Sequence, residues 1–168
     1  MCSSDLKGWR KRQIVEKKMD KEPLIWGGME WESRMKHGFT CSSFDLLHAG
    51  HIAMLREARS VCDFLTVGLQ TDPSIDGRKP KPVQTTYERY LQLSGCKYVD
   101  KIVPYDTEAD LLNLLTTLPI DIRIVGIEYQ FCDYTGKGLH EVYYNKRSHS
   151  WSGTELKERV REFRYTAV

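Results

Sequence analysis

Phe44-Asp45-Leu46-Leu47-His48-Ala49-Gly50-His51 joins a short apolar run, Gly38-Phe39-Thr40-Cys41, to a segment in which Ile52, Leu55, Ala58 and Cys62 recur at helical spacing. A strand, a turn and an amphipathic helix follow from that order, with His48 and His51 at the mouth of the helix. The first backbone N–H groups of a helix have no partner inside it, and its dipole favours negative charge there, so the turn is a natural cradle for phosphate. Gly50 lets a phosphate come close to the backbone, and residues three apart share one side of the first turn, so both imidazoles reach the same oxygens. Two other readings compete. A His-x-x-His pair can be half of a zinc site, but zinc takes three or four protein ligands and the sequence offers no Cys/His cluster to complete one, so no metal site is assigned to the chain itself. Histidines at a helix start are also ordinary polar residues, although here strand, glycine and helix all fall where phosphate chemistry needs them.

Working outward, the chain alternates between the two periodicities. Phe64 to Leu69 is a nearly continuous apolar run, the pattern of a parallel strand covered on both faces. Thr71 to Gln84, rich in Pro, Gly and Lys, reads as a loop. Thr85 and Glu88 give a capping-box signal for a helix carrying Tyr87 and Leu91, with Tyr98 near its end. A strand at Lys101 to Pro104, a helix capped by Thr107 and Asp110, a strand at Asp121 to Gly126, another at Val142 to Tyr144, and a helix from Ser152 to about Arg161 complete the pattern. Strands alternating with helices predict right-handed βαβ crossovers and an α/β fold: a Rossmann-like parallel sheet of about five strands with helices on both faces. Ligands of such sheets bind beyond the carboxyl ends of the strands. The His48–His51 turn, the 71–84 loop, Glu128-Tyr129 and Arg147 to Thr154 are therefore expected to converge on one mouth.

A chain of 168 residues with 40% hydrophobic content supports one domain with a sizeable core. No apolar run approaches membrane length and no secretory signal pattern opens the chain, so a cytoplasmic protein without a membrane partner is expected. The five cysteines are odd in number and lack CxxC spacing, which reads as reduced packing residues. Residues 1–34 carry eight Lys/Arg and six Asp/Glu, so the net charge of +2 belongs to this segment. The remaining neutral domain gives no electrostatic case for nucleic acid. Residues 1–34 show no sustained period and are expected to form a disordered or loosely helical extension to a domain over 35–168. Met1-Cys2-Ser3-Ser4-Asp5-Leu6 also looks like the translation of a sequencing-adaptor end, which makes part of that segment a candidate non-native stretch.

FDLLHAGH resembles the HxGH signature of the nucleotidyltransferases that join CTP or ATP to a small phosphorylated alcohol or sugar, the glycerol-3-phosphate cytidylyltransferases above all, and the resemblance runs from Lys36 to Arg161. It implies that Ser43, Phe44, His48, Ala49, Gly50 and His51 hold the nucleotide, the two histidines stabilising charge on its α-phosphate while pyrophosphate leaves. Asp76-Gly77-Arg78-Lys79-Pro80-Lys81 places three cations on a loop where phosphates would lie, a solvated basic loop being the alternative. The family's loop lysines fall nearest Lys79, taken as catalytic, and Lys81, taken as nucleotide-binding. Arg147-Ser148-His149-Ser150-Trp151-Ser152-Gly153-Thr154 resembles the family's RTxGISTT motif. Arg147, Ser152 and Thr154 match it, while Ser148, Ser150, Trp151 and Gly153 depart. An arginine beside a Ser-capped helix start is a second anion site, with a plain helix cap as the competing reading. The resemblance gives Arg147 a catalytic role and extends the nucleotide site over Ser148, Ser152, Gly153 and Thr154. Glu128 and Tyr129 fall where the family has an acidic and aromatic pair beside the base. Arg78, Arg89 and Lys97 fall at second-substrate positions. The glycerol-phosphate enzymes also carry a lysine near the next helix start, for which Asp106-Thr107-Glu108 has no substitute. The resemblance further implies CTP as nucleotide, Mg²⁺ arriving with the triphosphate rather than in a protein cage, and a homodimer. The alternatives are a sugar-phosphate adenylyltransferase resembling the ADP-heptose enzymes, and a module that binds nucleotide without catalysis.

Overall fold

The computed structural model describes residues 34–77 and 79–166; apart from Arg34, the extension expected over 1–34 lies outside the described residues, and so does Arg78. Five strands, β1 (His37–Ser42), β2 (Phe64–Gln70), β3 (Lys101–Tyr105), β4 (Ile122–Gly126) and β5 (Glu141–Asn145), alternate with α1 (Ala49–Arg59), α2 (Thr86–Ser94), α3 (Glu108–Thr117) and α4 (Gly153–Thr166). Every strand pair is parallel and the order is β3-β2-β1-β4-β5. The α/β fold read from the sequence is therefore the one observed. From β1 the sheet grows first toward β3 and then, on the other side, toward β5. That reversal between β1 and β4 opens a crevice at their carboxyl ends.

Local chemistry sets the boundaries. Thr85 with Glu88 and Thr107 with Asp110 form reciprocal capping boxes at α2 and α3. α2 stops at Ser94, short of Tyr98, because Gly95 closes it with an N–H bond to Leu91 O (3.2 Å). α4 continues past Arg161 to Thr166. Strand alternation sends Leu65, Val67, Leu69, Ile122 and Ile124 to one face, where Leu55 and Ala58 of α1 and Leu93 of α2 cover them. Phe39 and Tyr105 face the other way and meet Leu111 and Leu115 of α3. Among the described residues, no helix is long and apolar enough to cross a membrane.

Arg89 of α2 is the largest fully buried side chain, 1% exposed. Its Nη1 donates to Ser43 O and Gln70 O (both 2.7 Å), its Nε to Gln84 O (3.2 Å), and its Nη2 to Thr71 O and to Thr86 Oγ1 (3.2 Å). One guanidinium thus pins the ends of β1 and β2 and the entry to α2. The second-substrate role that the family position suggests for Arg89 does not fit this placement, since the fork is spent on backbone carbonyls. Removing it would leave buried carbonyls without donors, each costing about 1–3 kcal/mol. Arg89→Met is expected to lose at least about 3 kcal/mol of unfolding free energy in urea denaturation, and Arg89→Lys to recover little of it, because an ammonium cannot span four carbonyls. A loss for Arg89→Met no larger than the ~0.5 kcal/mol of a surface substitution would refute this role.

Candidate functional site

The turn after β1 bends through left-handed backbone at two non-glycine residues, Phe44 (φ 50°) and Leu46 (φ 51°). Phe44 spends its side chain in the core and lies with its ring centroid 5.2 Å from that of His51. Asp45 and Gln84 hold the bend: Gln84 N donates to Asp45 Oδ1 (3.0 Å) and Leu46 N to Gln84 Oε1 (2.8 Å). Lys157 of α4 adds an ion pair to Asp45 Oδ2 at 2.9 Å. Burial raises the Asp45 pKa, but the bonds from the Gln84 backbone and the Lys157 ammonium outweigh it and hold the carboxyl below the usual range.

His48 is the N-cap of α1 and His51 its third residue, and together they form a capping box made of imidazoles. Gly50 N donates to His48 Nδ1 (3.1 Å) and His48 N approaches His51 Nδ1 at a longer 3.5 Å, while the rings stack with centroids 4.0 Å apart. An imidazole whose Nδ1 accepts is neutral and carries its proton on Nε2. Electrostatics agree. Burial first, then the neighbouring His48, pushes His51 down to about 3 against the opposing pull of Asp45, and burial with His149 and Arg147 lowers His48. Each ring therefore offers one uncharged N–H donor.

The α4 N-terminus lies opposite. A Cβ on Gly153 would stand 3.8 Å from His48 Nε2, and one on Gly50 only 2.6 Å from Trp151 O, so glycine at 50 is what admits the 147–152 segment. Ser152 Oγ accepts from Glu155 N (3.1 Å) and caps α4. Arg147, with φ 34°, follows Asn145, whose buried side chain donates to Met54 O (3.3 Å) and accepts from Arg147 N (3.4 Å). Its guanidinium stands 3.9 Å from Glu128, an exposed pair of little energetic weight. His48, Gly50, His51, Glu128, Arg147, Ser152 and Gly153 line one cavity of about 220 Å³ with His149 and Trp151. A second cavity of about 260 Å³, on the α3 side, shares Ser42, Met54, Gly126, Glu128 and Asn145 with it. Lys79, Tyr129, Arg123 and Glu108 also line this second cavity.

Several candidate residues stand apart. Lys97 follows α2, which returns the chain to the amino edge of the sheet; it lies over the Tyr98 ring (5.2 Å), at the end opposite the histidines. That edge is set by the βαβ geometry, so the second-substrate role expected of Lys97 is not supported. Lys81, Ala49, Ser148 and Thr154 are exposed and line neither cavity, and Ser43 contributes its carbonyl to Arg89. Asp45, Gln84, Asn145 and Lys157 were not singled out by sequence reading. Only the Asp within FDLLHAGH offered a signal; the rest act through contacts between segments distant in the chain.

The family model for cytidylyltransferase-like proteins matches residues 39–159. The chain belongs to the cytidylyltransferase-like family. Among curated relatives, the bifunctional protein HldE of Caulobacter sp. (strain K31) is 36% identical over 119 residues, 69% of this chain and 24% of that protein. The bifunctional protein HldE of Campylobacter fetus subsp. fetus (strain 82-40) is 40% identical over 101 residues, 59% and 21% respectively. The chain thus spans about a quarter of the length of these relatives. The solved structure of a lipopolysaccharide core biosynthesis protein from Thermoplasma volcanium GSS1 superposes with a TM-score of 0.51 at 21% identity, over 77% of this chain and 88% of that one, a likeness of fold.

The depressed His51 pKa carries a sign. Between about 3 and the ordinary 6.5 the unfolded chain binds a proton that the native imidazole refuses, so this residue's contribution to stability is complete above 6.5 and lost as pH falls through that window. In the free protein, ¹⁵N NMR is expected to show His51 as the neutral Nε2–H tautomer at pH 5, with no titration between pH 5 and 8. A midpoint near 6.5 would contradict the arrangement.

Proposed function

We propose that this domain transfers a nucleoside monophosphate from a nucleoside triphosphate to a phosphate oxygen of a small phosphorylated acceptor, releasing pyrophosphate. The observation that carries the reading is the cavity between two helix N-termini, where neutral His48 and His51 and cationic Arg147 supply donors to an acceptor-only ligand such as a triphosphate tail. Membership of the cytidylyltransferase-like family supports it. The acceptor occupies the adjoining cavity of about 260 Å³, which Lys79 lines. Its phosphate oxygen attacks the α-phosphorus, the new P–O bond forms as the bond to the β-phosphate oxygen breaks, and no protein nucleophile takes part. Catalysis comes from position and from donors placed on the charge that develops as pyrophosphate departs. In this reading magnesium comes to the site as a companion of the triphosphate, near Glu128 of the same cavity.

CTP with a glycerol-phosphate-like acceptor is the reading suggested by the motifs. ATP with a sugar phosphate is the second, favoured by Asp106-Thr107-Glu108, which lacks the lysine that the glycerol-phosphate enzymes carry near this helix start. The domain works as a homodimer in either case. Pyrophosphate release from CTP and from ATP, measured across a panel of phosphorylated polyols and sugars, separates the two readings. No release with any acceptor would leave only a nucleotide-binding module.

Preorganised donors of this kind are typically worth about 10²–10³ in rate. His48→Ala and His51→Ala are each expected to fold, to bind nucleotide detectably, and to lower kcat by at least roughly a hundredfold with a smaller change in KM. If both variants lose thermal stability but keep their rate per folded molecule, the histidines are structural and the reading fails.

A further inference from the structure

The segment between Arg147 and Ser152 departs most from the family motif, and it contains a third imidazole at the same cavity. His149 stacks on Trp151 with ring centroids 4.8 Å apart and planes 21° from parallel. Its Nδ1 is buried and has no hydrogen-bond partner among the described residues. A buried polar atom left in that state bears its full desolvation cost, and a native structure keeps one where a ligand, an ordered water or a conformational step supplies the missing partner. The backbone two residues earlier is also strained, since Arg147 adopts φ 34° without being glycine. Trp151, which braces the ring, has its carbonyl against Gly50 at the start of α1. His149 is therefore mounted between the two helix N-termini, on the wall that also presents His48 and Arg147.

Taking the nucleotide reading above as its ground, we propose that His149 is a third phosphate-binding imidazole of this site, its Nδ1–H donating to the β- or γ-phosphate oxygens of the bound nucleotide while Trp151 fixes the ring. The surroundings select the tail over the base. A base presents donors and acceptors together, whereas His48, Arg147 and two helix N-termini donate, the acceptor Glu128 stands 3.9 Å from Arg147 in a weak, exposed pair, and the triphosphate tail only accepts. His149 is thus a ligand of the leaving group: pyrophosphate carries its contact away, and the acceptor never meets it.

Phenylalanine keeps the stacked ring and deletes both nitrogens, so His149→Phe isolates the hydrogen bond from the packing. Calorimetric titration of the full chain with inorganic pyrophosphate, CTP, ATP, CMP and AMP is expected to show at least about tenfold weaker binding of pyrophosphate and of whichever triphosphate the wild type binds, with the monophosphate unchanged. The melting temperature should not fall, because the substitution removes an unpartnered polar atom. If His149→Phe does fold poorly, His149→Asn, which restores a donor near the Nδ1 position, compared with His149→Leu decides in its place, Asn binding pyrophosphate the more tightly. Unchanged pyrophosphate affinity in His149→Phe, or an equal loss for mono- and triphosphate, overturns the role while leaving nucleotidyl transfer standing. A wild type that binds neither pyrophosphate nor either nucleotide overturns both.

Discussion

The bend between β1 and α1 is the constraint from which the rest of the site follows. Two residues of left-handed backbone, Phe44 and Leu46 on either side of Asp45, cost of order 1–3 kcal/mol each and persist only if something over-determines them. Here the restraint comes from outside the segment. Phe44 is anchored in the core, Asp45 is gripped by the Gln84 backbone and the Lys157 ammonium, Gln84 returns a bond to Leu46 N, and Arg89 holds Ser43 O. The bend needs α2 and α4 to exist, and it sets the direction in which α1 leaves the sheet. His48 and His51 acquire their place from that direction.

Because the same groups touch several segments, the clasp also fixes how the segments stand to one another. Arg89 ties β2 and the entry of α2 to the end of β1, so the loop carrying Lys79 is anchored at both its roots. Lys157 lies one turn inside α4, whose N-terminus faces His48. Side chains that line neither cavity thereby hold the two helix starts in place. The Asp45–Lys157 pair is partly buried, with Asp45 only 12% exposed, and its carboxyl is held ionised by hydrogen bonds. That share of the clasp is present above the ordinary carboxyl range and is lost as acid protonates Asp45.

Fold was legible in the sequence because it rests on periodicities that each segment carries alone. The apolar run of β2, the capping pairs of α2 and α3 and the glycine after α2 each act within a few residues. The histidine turn was legible for the same reason. What could not be read was the contact between distant segments. Arg89 looks like any helix arginine until the fold buries it under four carbonyls, and Lys97 looks close to a site that the return path of α2 leaves at the far edge of the sheet. Gln84, Asn145 and Lys157 carry no local signal, since their partners lie 39, 91 and 112 residues away.

Charge in the site is arranged so that the free protein does not oppose its own folding. Three cationic imidazoles beside Arg147 and Lys79 would repel one another in a partly buried cleft, where such repulsion is weakly screened. The structure avoids this by using Nδ1 of both turn histidines as acceptors inside α1, which keeps the rings neutral while each Nε2–H remains a donor. Arg147 is a permanent cation at the wall, and Glu128 balances it at 3.9 Å through a weak, exposed pair that an incoming anion can replace. A ligand bearing several negative charges then meets donors already aimed and little charge to displace, so the electrostatic gain is realised on binding rather than spent in holding the apoprotein together.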